Sequence, residues 1–177
     1  EGVPGYLFFE KSENFNTYYL TGLAFVITDL IWLLFVYDYQ TDFCLMLLHH
    51  SITISLVVFS YLTNLSQIGV IVFYLHDITD IFVYITRLLL YSDYHDFVKL
   101  LPGIFLIASY IFYRIYLFGK LIVLVYFNLN DWNPYTSILW YFKCILMIMH
   151  IYWIFQILKR LFLFRIEDVG KVNKKNK

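Results

Sequence analysis

Long runs of apolar residues dominate the chain, and polar residues collect in the gaps between them. Five runs, at 18–37, 43–63, 67–91, 103–127 and 138–164, reach the roughly 20 residues that a bilayer-spanning helix needs. The gaps run from Asp38 to Asp42, Asn64 to Ser66, Ser92 to Pro102 and Asn128 to Ser137, and hold turn formers and surface charges. Each run is too long for the ~9–11 residues of a membrane barrel strand. The pattern predicts an all-α, polytopic membrane bundle with five transmembrane helices. Residues 1–17 mix Gly, Pro, Asn and charges and read as an interfacial lead-in, and residues 165–177 read as a polar tail. There is no internal repeat and no low-complexity tract.

Composition narrows the class. Of 177 residues, 61% are hydrophobic and 15% charged, where a soluble domain carries about 25% charged residues. That excludes a water-soluble enzyme, a disordered chain and a nucleic-acid binder with a basic face. Thirteen Lys and Arg balance thirteen Asp and Glu, so net charge carries no message about partners. The distribution does. Seven of the thirteen basic residues lie between Lys159 and Lys177, and basic flanks stay in the cytosol. Five spans then put residue 1 on the opposite side. The closing Lys174-Lys175-Asn176-Lys177 reads either as a dilysine retrieval signal, which would predict the endoplasmic reticulum membrane if Lys177 is the native C-terminus, or as a solvated tail. Cys44 and Cys144 both sit in apolar runs and make neither a disulfide framework nor a zinc site. The chain begins at Glu1 with no methionine and no signal-peptide pattern, as a segment of a longer protein would. Asn64-Leu65-Ser66 is a glycosylation sequon in a very short loop at the membrane surface, and is expected to be unused.

Charges within spans are costly, about 2.5–3.5 kcal/mol each at the bilayer centre, so they are functional candidates. This chain places Asp29, His49, His50, His76, Asp77, Asp80, Arg87, Arg114, Lys120, Lys143 and His150 inside its spans. Their depths agree. In a hairpin about residue 65, His50 lies fifteen residues before the turn and Asp80 fifteen after it, at one level. With ~1.5 Å rise per residue, Asp29, Arg114 and His150 fall in the same slab, ~16–23 Å from the non-cytosolic side of a ~30 Å core. Charges that merely glue helices together would scatter in depth; convergence from all five spans predicts one buried polar chamber. Spacing within the third span agrees. His76 and Asp80 (i,i+4) and Asp77 and Asp80 (i,i+3) share a face, and Tyr84 and Arg87 continue it. On the second span Thr53 lies one turn from His49 and His50. Adjacent imidazoles point ~100° apart, so one is expected to do chemistry while the other holds a neighbour.

A neutral imidazole oriented by a carboxylate is a general base, or a nucleophile toward an activated acyl group. Other chemistries fit worse. Five histidines without HxxxH or HxxHH boxes do not supply a membrane di-iron centre or an elongase site. Bis-His haem ligation by His50 and His150 would leave the neighbouring acids unexplained. No Walker A loop, dinucleotide fingerprint or GxSxG elbow is present.

The hairpin from His49 to Asp80 resembles the Lag motif of ceramide synthases, within the TLC-domain superfamily. The matching positions are His49 and His50, Thr53, Ser60 and Tyr61, Asn64, Ile68 and Gly69, His76 and Asp77, and Asp80. Tyr18-Tyr19-Leu20 with Gly22, Asp42-Phe43, Arg114 with Phe118, and His150 with Trp153 resemble the family's flanking segments. The chain departs from the pattern at Gln67, Tyr84, Arg87, Tyr113 and Gly119. The resemblance implies a TLC-domain helical bundle over 18–164, whose sixth span would precede this segment. It implies N-acylation of a sphingoid long-chain base by a fatty acyl-CoA, giving ceramide or dihydroceramide and CoA. His49, His50, His76, Asp77 and Asp80 would be the catalytic group, with His49 or His50 as base or acyl acceptor and His76, Asp77 and Asp80 orienting it and neutralising charge on the amine. Asp29, Thr53, Tyr84, Arg87, Arg114 and His150 would line the substrate chamber. Neither metal nor cofactor is implied, acyl-CoA being a substrate; the partners are the two lipid substrates and the bilayer, and a homo- or hetero-oligomer stays open. The competing reading is a non-catalytic TLC protein in lipid sensing, translocation or cargo trafficking.

Overall fold

The computed structural model describes residues 13–35, 42–63, 65–90, 92, 96–128 and 133–175. The sequon's Asn64, residues 1–12 of the lead-in and the last two residues lie outside them. Among the described residues every regular element is helical: α1 (Glu13–Phe35), α2 (Phe43–Leu62), α3 (Ser66–Leu90), α4 (Asp96–Ser109), a π-helical segment (Tyr110–Leu117), α5 (Phe118–Asn128) and α6 (Pro134–Lys175). Five stretches are long and apolar enough to cross a membrane, at 14–35, 43–62, 66–89, 100–128 and 134–162. They correspond to the five predicted runs. The fourth is composite, with α4, the π segment and α5 continuous in one span. The lead-in boundary shifts, because α1 already begins at Glu13, and α6 carries helical backbone beyond residue 164 to Lys175.

Local chemistry sets the helix ends. Pro134 opens α6 at a position where its missing amide has no partner to lose. Asn133 caps the same end: the Thr136 amide donates to Asn133 Oδ1 at 2.9 Å, and the Asn133 amide donates to Thr136 Oγ1 at 3.0 Å. Between α2 and α3 the chain turns within a few residues. The Thr63 amide donates to the Phe59 carbonyl at 2.9 Å and the Leu65 amide to the Ser60 carbonyl at 2.8 Å.

The bundle is apolar outside as well as in. Phe25, Phe35, Leu88, Phe127, Ile148 and Phe155 all lie on its outer surface, as lipid contact requires. The main core joins Ile52 and Leu56 of α2, Ile68 and Leu75 of α3, Phe118, Leu121, Ile122 and Val125 of α5, and Leu139, Leu146 and Met149 of α6. A smaller core holds α1 against the hairpin through Tyr19, Val57 and Phe73.

That smaller core explains part of the motif. The buried Tyr19 hydroxyl donates to the Val57 carbonyl at 2.8 Å and shares a close hydrogen bond with Ser60 Oγ. With the Tyr19 hydrogen directed to Val57, Ser60 is the donor to Tyr19 Oη, and its Oγ lies 3.0 Å from the same carbonyl. The tyrosine reaches them only because Gly69 has no side chain: a Cβ there would sit 2.7 Å from Tyr19 Oη and 3.1 Å from Ser60 Oγ. Ser60 and Gly69 therefore dock α1.

Gly69→Ala should destabilise the bundle by about 1–3 kcal/mol, the usual range for an overpacked core site. Thermal unfolding in detergent measures it. An unchanged melting temperature would mean that the Tyr19 ring gives way at no cost.

Candidate functional site

The site is built on α3, whose face from His76 to Asp80 meets the π segment and α6. His76 Nδ1 lies 2.7 Å from the Val72 carbonyl one turn back, and its Nε2 lies 2.8 Å from His150 Nε2. His150 is fully buried, and its Nδ1 lies 3.2 Å from the Tyr110 hydroxyl. Phe118 closes the pair edge-on, with ring centroids 5.4 Å from His76 and 5.7 Å from His150. His150, expected only to line the substrate chamber, is bonded directly to His76.

Asp80 and Arg114 form the charged half of the site. Arg114 Nη2 donates to Asp80 Oδ1 at 2.5 Å and to the His76 carbonyl at 3.3 Å. The guanidinium side is buried and the carboxylate side is 41% exposed, so the pair opens outward through Asp80. Arg114 also lies across the Tyr110 ring, 5.3 Å from its centroid, in cation–π contact. Its Nε is buried without a hydrogen-bond partner among the described atoms.

The double histidine of α2 diverges. His49 faces α6, with centroids 5.1 Å from Trp153 and 6.0 Å from His150. Its Nδ1 is buried and has no hydrogen-bond partner among the described atoms. His50 meets His49 edge-on at 5.4 Å and is only partly buried, within electrostatic range of Asp29 on α1. Thr53 turns its hydroxyl to the His49 carbonyl, at 2.9 Å, within α2.

The orienting partners differ from those the spacing predicts. Among the described contacts neither Asp77 nor Asp80 touches an imidazole. Asp80 does share a face with His76, but Arg114 takes its carboxylate. Asp77 points about 100° away and accepts a hydrogen bond from Tyr18 of α1 at 2.8 Å. The partner of His76 is another imidazole. Tyr84 and Arg87 are exposed further along α3, with Tyr84 in electrostatic range of Asp29 and Asp80. Lys120 is exposed and Lys143 buried, and no described contact joins either to this cluster.

Tyr110 is the residue that spacing alone passes over. A signal was present, because it precedes Arg114 by four residues on one face of its span. Among the described residues no group of three or more His, Cys, Asp or Glu is arranged to hold an ion. The site's chemistry is that of imidazoles and one ion pair in a water-poor setting, suited to proton transfer or to attack on an activated carbonyl.

Known proteins resemble this chain in sequence over most of its length. The family model for the TLC domain matches residues 1–159. The chain is 30% identical over 159 residues to ceramide synthase 5 of Homo sapiens, covering 86% of this chain and 39% of that protein. It is 29% identical over 152 residues to ceramide synthase LOH2 of Arabidopsis thaliana, covering 81% of this chain and 51% of the relative. Sphingosine N-acyltransferase lag1 of Schizosaccharomyces pombe is 30% identical over 128 residues, 72% of this chain and 32% of its own. The chain spans about a third to a half of the length of these relatives. No solved structure matches.

Asp80→Asn and Arg114→Gln should each lower stability, because each strands the other partner in an apolar setting. The double variant should lose less than the sum, with a coupling of about 1–3 kcal/mol in a double-mutant cycle of detergent unfolding. Strictly additive losses would mean the pair contributes no coupling.

Proposed function

The chain belongs to the TLC-domain family, and from that membership we propose that it is a membrane-embedded N-acyltransferase of the ceramide synthase kind. It would join the acyl group of a fatty acyl-CoA to the amine of a sphingoid base. The C–S bond of the thioester breaks, a C–N bond forms, the amine gives up a proton, and CoA leaves as its thiol. The names borne by its relatives support the reading, as does the complete double-His and His-Asp set.

One observation carries the chemistry onto a residue. His49 Nδ1 is a buried imidazole nitrogen with no partner, beside two imidazoles that bond each other. A buried polar atom of this kind costs free energy unless a ligand satisfies it. His49 is therefore the general base, or the acyl acceptor, of this reading. Arg114 keeps an unpartnered Nε–H that can donate to a carbonyl or phosphate oxygen. Asp80, half open beside it, holds the guanidinium in place. Asp29 and the partly buried His50 form the approach from the α1 side, where a cationic amine meets the Asp29 carboxylate first.

The setting suits the substrates. Both lipid chains dissolve in the bilayer, whereas CoA stays in water. A site toward the cytosolic third of the membrane lets a thioester reach His49 while its chain lies among apolar helices. A basic C-terminus in the cytosol and residence in the endoplasmic reticulum complete the reading.

Microsomes containing the full chain, supplied with sphinganine and a panel of acyl-CoAs, should form N-acyl product. His49→Ala should lower that activity at least ~100-fold with the protein still inserted, the range for loss of a general acid–base group. Arg87→Lys, two turns from the site, should change it little. If His49 accepts the acyl group, enzyme quenched after acyl-CoA alone should carry an acyl mass on the α2 peptide. Wild-type activity in His49→Ala would overturn the assignment.

A further inference from the structure

The three hydrogen bonds through His150 and His76 have one consistent direction. The Val72 carbonyl has no proton to give, so His76 Nδ1 must carry the hydrogen in their 2.7 Å contact. With both rings neutral, the state that burial in an apolar bundle favours, His76 Nε2 is then a bare acceptor. The 2.8 Å contact between the two Nε2 atoms needs one hydrogen, and His150 must supply it. That leaves His150 Nδ1 bare, and the Tyr110 hydroxyl, 3.2 Å away, donates to it. The chain runs from Tyr110 to His150 to His76 to the Val72 carbonyl, with no free nitrogen on either ring.

We propose that Tyr110 is a positioning residue: its hydroxyl, held by Arg114 across its ring, sets the tautomer of His150 and through it that of His76, so that His49 alone of the three clustered imidazoles offers a nitrogen to a substrate. Without the hydroxyl, His150 can carry its hydrogen on Nδ1 instead. Two bare Nε2 atoms would then face each other, and the rings must part or turn. Either movement disturbs the wall against which His49 stands, since its ring lies 6.0 Å from His150. His76 and His150 thus act as a fixed scaffold, and neither exchanges a proton with substrate.

The full chain, labelled with ¹⁵N-histidine and reconstituted in bilayers, tests this directly by solid-state NMR, with signals assigned by single histidine replacements. His76 should be protonated at Nδ1 only and His150 at Nε2 only. The opposite tautomer on either ring overturns the proposal. Tyr110→Phe keeps the ring beside Arg114 and removes only the hydroxyl; it should give His150 two tautomer populations. A single unchanged His150 tautomer in that variant also overturns it. These signals need no substrate, so they stand apart from the acyl-transfer reading. Only the kinetic effect rests on that reading: Tyr110→Phe should lower kcat about tenfold with KM for both substrates unchanged, as loss of one hydrogen bond used for positioning would.

Discussion

A guanidinium inside an apolar bundle needs an anion beside it, and Arg114 finds one in Asp80. Much of the site's order follows from that pairing. It ties the π segment to α3 and uses the carboxylate that would otherwise meet His76. It also brings the Tyr110 ring under a positive charge. In water such an ion pair would contribute little, because solvent competes for both partners. In a bilayer there is no competing solvent, and the cost of separating the charges holds the helices in register.

The same scarcity of water orders the neutral groups. Each buried donor or acceptor must find a partner within the bundle, and most do so by the shortest route. The buried Ser60, Thr79 and Ser109 hydroxyls each lie within hydrogen-bond distance of a carbonyl three or four residues back. Against that background two buried nitrogens without a hydrogen-bond partner among the described atoms, His49 Nδ1 and Arg114 Nε, carry meaning. The Lag-like hairpin therefore divides by physics. Ser60 and Gly69 seat Tyr19, Thr53 serves its own helix, and His49, His76 and Asp80 face the polar interior.

The spans were legible because the bilayer imposes length and hydropathy on each of them, and both are one-dimensional properties of a sequence. Depth was legible for the same reason, which is why residues from separate helices could be placed in one slab. Direction about each helix axis was not. That Arg114 claims Asp80, and that Asp77 turns to Tyr18, depends on how neighbouring helices are rotated. The π segment left no trace in the apolar pattern, since a π turn satisfies its backbone as an α turn does. The start of α4 was misjudged by treating Pro102 as a boundary. The helix runs from Asp96 through it, losing one amide donor.

The five spans are unequal in length. The α2 span has 20 residues, while the fourth and fifth spans have 29 each. At ~1.5 Å per residue that is ~30 Å against ~43 Å, beside a hydrocarbon core of ~27–30 Å. The short span matches the membrane and the two long ones overshoot it, an excess taken up by tilt, by thicker lipid around them, or by polar helix ends running into the headgroup layer. The long spans bring in Tyr110, Arg114 and His150; the short one brings in His49. The two halves of the site are thus coupled to bilayer thickness from opposite directions. A thicker or sterol-rich membrane would stretch the α2 side while it relieves the other, making lipid composition a mechanical input to the distance between His49 and His150.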